Sequence, residues 1–361
     1  MPNLRALTED DLPAAMALVH AVGWNQTIDD WRRLLALEPS GCLGIEVEGR
    51  VVATATVVRY GRDLAWLGMV VTHPDHRRRG YARRLLAAAM AYSDARGVRT
   101  LKLDAADAGR PLYLAAGFRD EQPAERWRWE PGLLPGPCAG APGDPGPWRN
   151  TRPGPQSWES APPGPQVSGG PATDARGCPP SGLRSSASST RGSNVRPAAD
   201  RRGEPAQGGD ERMSSLASGA PSGLGSLPET GAEPVRQLGP PELALDLQAI
   251  GADRGRLLAA LGPPVCFDGG FVMQRSGGRA RYLGPCVAGE AGPAAAALRA
   301  VLAEHADEPW VWDLLPANAA AAEIARGLGF APFRRLTRMA RGEPLATRDE
   351  LVYALGGFEL G

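Results

Sequence analysis

Val71-Thr72-His73-Pro74-Asp75-His76-Arg77-Arg78-Arg79-Gly80-Tyr81-Ala82 is the stretch on which the reading of this chain turns. The apolar run Trp66 to Val71 predicts a strand, Pro74 a turn, and Arg83, Arg84 and the apolar Leu85 to Met90 a helix that opens near Gly80. A helix start carries backbone N–H groups with no internal partner and the positive end of the dipole, so an anion placed there collects several hydrogen bonds together. Gly80 removes the Cβ that would hold an anion off the backbone, Ala82 keeps the next turn thin, and Arg77, Arg78 and Arg79 add charge at the rim. Spacing alone leaves two readings open: a cradle for a pyrophosphate, or a solvated basic face that touches nucleic acid.

Composition narrows the choice. The chain has 361 residues, room for two ordinary domains and a connection, with 40 basic against 40 acidic residues and a net charge of zero. No whole-chain field draws it to nucleic acid or an anionic membrane, so the basic run at Arg77 calls for a local ligand. Glu9, Asp10 and Asp11 interrupt the N-terminal segment before a signal peptide could develop, and no stretch approaches a membrane span; the expectation is a soluble, cytoplasmic protein without membrane or nucleic-acid partners. Five cysteines, Cys42, Cys138, Cys178, Cys266 and Cys286, are odd in number and lack paired short spacing, which argues against a disulfide framework and against zinc, and no metal is expected.

Outward from the loop the organisation is regular. Thr8 with Asp11 and Thr27 with Asp30 read as capping boxes opening two helices, the first ending at Gly23, the second running through Trp31, Leu34, Leu35 and Leu37 to stop before Pro39. Cys42 to Val47, a turn at Glu48-Gly49, and Val51 to Val58 predict a hairpin; Leu64 to Val71 and Val98 to Leu103 predict two more strands, and Leu112 to Ala116 a short helix. From about Gly132 to about Pro240 the chain is roughly a third Gly plus Pro, with no sustained apolar period, and reads as a disordered linker. Order returns at Pro241, with helical spacing on both sides of Gly251 to Arg254, strands at Val265 to Arg275, Arg281 to Leu283 and Trp310 to Leu314, and helices at Ala294 to Ala303 and from Asn318 to Gly329.

These residues resemble the GNAT superfamily of acyl-CoA-dependent N-acetyltransferases. Its signature is Arg or Gln, two residues, Gly, one residue, then Gly or Ala, and Arg77, Gly80 and Ala82 match it in order. Leu112-Tyr113-Leu114-Ala115-Ala116-Gly117-Phe118 resembles the family's later helix, and Gly23 to Thr27 with Asp30-Trp31 resembles the acceptor-side segment of bacterial two-domain members. Residues 241–361 resemble the second domain of the same proteins, without an Arg-Arg-Gly loop after Gly284-Pro285-Cys286-Val287 and with alanines near Ala321 where the tyrosine would stand. The resemblance implies a mixed α/β sheet in two GNAT-like domains, 1–131 catalytic and 241–361 degenerate, joined by the linker 132–240.

It also implies a chemistry. Direct attack of an amine on a thioester needs a neutral nucleophile, a polarised carbonyl and a proton for the departing thiolate. Acetyl-CoA would lie along Met69, Val70 and Val71, with its pyrophosphate at Arg77, Arg78, Arg79, Gly80, Tyr81 and Ala82. Tyr113 holds the general-acid position, or only packs on the coenzyme. Asp104 is the first candidate for the base, directly or through water, and Glu46 the second. Trp24, Asn25, Gln26 and Asp30 would receive a small-molecule or peptide amine through π contact, amides and charge, while Trp31 is a core residue. The alternative to an enzyme is a non-catalytic acyl-CoA sensor, which would need neither Tyr113 nor the acceptor segment.

Overall fold

The first half of the chain lays down β1 (Asn3–Ala6), α1 (Leu12–Ala21), α2 (Ile28–Leu37), β2 (Cys42–Val47), β3 (Arg50–Tyr60), β4 (Leu64–Thr72), α3 (Tyr81–Asp94), β5 (Thr100–Ala105), α4 (Arg110–Ala115) and β6 (Arg119–Trp129). The second half follows with α5 (Pro240–Ile250), α6 (Gly255–Leu261), β7 (Val265–Phe267), β8 (Gly270–Arg275), β9 (Arg281–Ala288), α7 (Ala291–Glu304), β10 (Trp310–Leu314), α8 (Ala319–Gly327), β11 (Ala331–Gly342) and β12 (Val352–Ala354). The computed structural model describes residues 2–131 and 237–361; most of the expected linker lies outside the described residues.

Local chemistry accounts for the element ends. Thr27 accepts from the Asp30 backbone N–H while the Asp30 carboxylate accepts from the Thr27 N–H, the reciprocal box that opens α2. Thr8 and Asp11 make a like contact, but it opens a single 3-10 turn, Glu9–Asp11, from which α1 continues. The segment read as one strand from Val265 to Arg275 is a tight hairpin, because Gly269 takes a left-handed φ of 74° and turns the chain between β7 and β8.

Among the described residues all twelve strands join one sheet in the order β1-β2-β3-β4-β5-β11-β6-β10-β9-β8-β7, with β12 beside β9. The order shows an exchange. Strand β11 of the second half lies between β5 and β6 of the first, antiparallel to both, and β6 of the first half pairs antiparallel with β10 of the second. Each half therefore completes the other's sheet. The cores record the same exchange: Met339 of β11 is buried with Tyr113, Leu85 and Leu103 of the first half, and Trp127 of β6 is buried with Trp310, Trp312 and Leu298 of the second. Helices α3 and α4 cover one face of the first half and α7 and α8 cover the second, whereas α1, α2, α5 and α6 share a single core on the opposite face.

Candidate functional site

Strands β4 and β5 run parallel for three residue pairs only, Leu64 with Thr100, Ala65 with Leu101 and Trp66 with Lys102. From Leu67 onward the two diverge, so the stretch holding Met69, Val70 and Val71 has lost its neighbour on that edge. Met69 takes a left-handed φ of 49° where the β3–β4 register shifts, and its carbonyl is held by the Thr54 hydroxyl at 2.9 Å. A bulge of this kind bends the strand and re-aims its backbone groups. The result is a wedge in the sheet, edged by backbone donors and acceptors that need partners.

At the head of the wedge, β4 passes through a short 3-10 turn, Pro74–His76, into the arginine loop. Gly80 caps α3 with φ 79°, and a Cβ built on it would meet nothing within 4 Å. Two properties follow from one residue: the left-handed turn that starts the helix, and open space above its first N–H groups. Arg78 also takes a positive φ, 61°, and Arg77 and Arg79 bend back to the carbonyls of Thr72 and Asp75. The Tyr81 ring is buried in the core and stacks near His76, so only its backbone belongs to the loop surface. The helix behind is fourteen residues long, so its dipole is developed.

Tyr113 stands on α4, on the α3 side of the sheet. Its ring is buried, edge-on to Phe118 with centroids 6.0 Å apart, and Gly109 gives it room: a Cβ there would lie 3.2 Å from the ring. The hydroxyl makes no hydrogen bond among the described residues. Burial pushes its pKa up to about 12, so the phenol keeps its proton at neutral pH.

The other candidates are placed differently from expectation. Asp104 is buried under Arg338, which donates to both carboxylate oxygens at 2.9 and 3.0 Å, so both oxygens are engaged across the β5–β11 pair. Glu46 is paired with Arg5 on the β1–β2 edge, away from the wedge. Asn25 clamps the two halves together, donating to the Ala280 carbonyl and accepting from the N–H groups of Arg279 and Ala280. Asp30 is buried between Arg33 at 2.7 Å and Arg275 at 3.1 Å; burial alone would raise its pKa, and Arg275 and the Thr27 backbone hold it below the ordinary carboxylate range. Asn25 and Asp30 thus hold the halves together rather than standing open to an acceptor. Trp24 is half-buried against the shared core. Of the four, Gln26 has an enclosed polar atom left over: its Nε2 donates to Glu359 at 2.9 Å, and its Oε1 has no partner.

Glu359 belongs to a group that the sequence does not announce. Its backbone carbonyl lies 2.5 Å from where a Gly68 Cβ would be, so residues 356–361 run directly across β4 where the wedge opens. Its carboxylate pairs with Arg275 at 2.6 Å, and burial raises its pKa against that pairing. Tyr282 lies beneath Arg275, 3.9 Å from guanidinium to ring centroid, with an enclosed hydroxyl that has no partner. Arg126, bidentate to Asp313 at 2.6 Å, closes the group. All but Gln26 and Arg126 come from the second half, so no spacing within the first half reveals them.

The second half repeats the wedge and fills it. Strands β9 and β10 are parallel over Arg281 to Leu283 and Trp310 to Trp312 and then part. Into the gap goes β12, antiparallel to β9, with Leu355 N–H donating to the Asp313 carbonyl and the Trp312 indole to the Tyr353 carbonyl, each at 2.8 Å. Helix α7 has Glu290 at its N-cap, a carboxylate where α3 has Gly80. Among the described residues no group of three or more His, Cys, Asp or Glu is placed to hold a metal ion, and no helix is long and apolar enough to cross a membrane.

Residues 4–118 match the Acetyltransferase (GNAT) family, and residues 243–354 match a second Acetyltransferase (GNAT) domain. No curated protein matches the sequence. Among solved structures, a protein of Pyrococcus horikoshii assigned as an acetyltransferase superposes with a TM-score of 0.64 at 16% identity, covering 100% of this chain and 96% of that one. The ribosomal-protein-S18-alanine N-acetyltransferase of Escherichia coli is similar over 34% of this chain and 81% of its own, at 24% identity and a TM-score of 0.31. The first likeness is one of fold along the whole chain, and the second covers a single half.

Proposed function

We propose that this chain, which belongs to the GNAT acetyltransferase family through both of its halves, transfers an acetyl group from acetyl-CoA to the amine of a small molecule or peptide at the wedge of its first half. The observation that carries the reading is the contrast between two wedges in one sheet. The first is open, with a glycine-started helix at its head; the second is filled by β12 and headed by Glu290. An anion at Gly80 meets unpaired N–H groups and a helix dipole, and one at Glu290 meets a like charge.

In this reading the pyrophosphate lies on the backbone of Gly80, Tyr81 and Ala82 with Arg77, Arg78 and Arg79 around it, and the pantetheine arm takes the place of β5 beside Met69, Val70 and Val71. Those backbone groups polarise the thioester carbonyl. The amine nitrogen bonds to the carbonyl carbon, the carbon–sulfur bond breaks, and the sulfur takes the proton that Tyr113 keeps. The amine's surplus proton leaves to water, since Asp104 is committed to Arg338, and the Tyr113 phenolate regains a proton from water before the next turnover.

The test is incubation of the full chain with acetyl-CoA and a panel of primary amines, following free thiol and the mass of the product. Stoichiometric release of CoA with an acetylated amine is the expected result. Binding of acetyl-CoA without turnover of any amine would replace the enzyme with an acyl-CoA sensor.

A further inference from the structure

The wall of the wedge on the α1 and α2 face holds one cation too many. Three buried or nearly buried carboxylates, Asp30, Asp313 and Glu359, are matched there by three guanidiniums, Arg33, Arg126 and Arg275. Arg334 is additional. It stands directly opposite Arg126 in the β11–β6 register, hence on the same face, and it makes no hydrogen bond or ion pair among the described residues.

Its position is set by two irregularities of β11. A bulge between Pro332 and Arg334 sets the face on which Arg334 projects, and β5 pairs only with Thr337 to Gly342. From Leu336 back to Ala331, β11 therefore has an open edge toward the side on which β5 ends and α4 begins. Arg334 is exposed, yet enough protein surrounds it that loss of hydration, followed by the Arg126 cation, lowers its pKa against the attraction of Asp313. Two guanidiniums therefore share the one Asp313 carboxylate, which is already bidentate to Arg126, and the surplus positive charge at Arg334 is a site that an anion completes. Beyond Arg126 on this face come Phe358, whose ring lies 4.7 Å from the Arg126 guanidinium, and then Glu359, packed on Gly68. The two enclosed polar atoms that lack partners, Gln26 Oε1 and Tyr282 Oη, border the same Glu359.

We propose that the acceptor is an amine that also carries a carboxylate, an amino acid or the end of a peptide, with the carboxylate held by Arg334 and the amine turned toward Gln26 and Tyr282 beside Gly68. This rests on the transferase reading above and adds the chemical class of its substrate. The surplus cation serves both steps: it draws the anionic acceptor in, and it disfavours the protonated form of the nearby amine, which must be neutral to attack.

The experiment compares the common L-amino acids with their C-terminal amides as acceptors, in the full chain and in Arg334→Gln and Arg334→Lys. Expected for the natural chain is a kcat/KM at least about tenfold higher for the best free acid than for its amide, carried mainly by KM. In Arg334→Gln that ratio falls close to one while the KM for acetyl-CoA is unmoved; Arg334→Lys restores part of it. Amides used as well as acids by the natural chain, or a preference that survives Arg334→Gln, overturns the assignment. If no acceptor of either kind is turned over, the transferase reading fails, and binding decides the acceptor site separately. Millimolar L-amino acids added to the CoA-saturated protein should then raise its melting temperature, the amides should not, and Arg334→Gln should lose the shift; no shift from the acids ends the proposal.

Discussion

At the scale of single residues, Tyr113 and Asp104 show how one kind of burial gives opposite outcomes. Tyr113 is enclosed by apolar neighbours with nothing to bond its hydroxyl, so its proton is retained up to about pH 12 and is free to move to a sulfur. Asp104 is enclosed with Arg338, and its charge is spent there. Replacement of Tyr113 by Phe removes the proton and leaves the ring. It should lower kcat by roughly 10²–10⁴-fold with little change in the KM for acetyl-CoA, and the natural chain should show no basic limb in kcat through the neutral range. Steady-state kinetics across pH check both, and a loss confined to KM would make Tyr113 a packing residue.

Among the elements, those that carry an apolar run or a cap are legible in the sequence, and those built on charge are not. Trp66 to Val71 and Val51 to Val58 announce their strands as apolar runs buried on both faces, and the capping box at Thr27 announces the start of its helix. Strands β6, Arg-Asp-Glu-Gln-Pro-Ala-Glu-Arg-Trp-Arg-Trp, and β11, Ala-Pro-Phe-Arg-Arg-Leu-Thr-Arg-Met-Ala-Arg-Gly, show no such run. Their charges are buried by exchange: Arg126 meets Asp313 of β10, and Arg338 meets Asp104 of β5. No local pattern tells a buried charge of this kind from a solvated one, so Arg275, Glu359 and Arg334 are not legible in the sequence. The exchange carries a measurable cost of disruption. Asp313→Ala leaves Arg126 buried without its carboxylate and should destabilise the protein by about 3–5 kcal/mol in denaturant titration, against a few tenths expected of a surface change. A loss under about 1 kcal/mol would mean that Arg126 finds solvent or another partner.

For the molecule as a whole, the exchange of β6 and β11 turns two copies of one fold into a single sheet with two wedges, and the two wedges have parted in role. One is open and headed by Gly80; the other is sealed by β12. Neither half is complete alone, since residues 1–131 without β11 would leave β5 with a bare edge and Met339 missing from the core around Tyr113. On this account the second half supplies the first with a strand, a wall and the acceptor's charged partners. The measurement that tests this division most directly is calorimetric titration of the full chain with acetyl-CoA, beside Gly80→Asp and Gly80→Asn. The Asn variant bears the same left-handed strain without the charge. One site per chain is predicted, weakened well over tenfold by Asp and less by Asn. Two sites per chain, or an affinity that the Asp substitution leaves unchanged in a folded protein, would contradict the account.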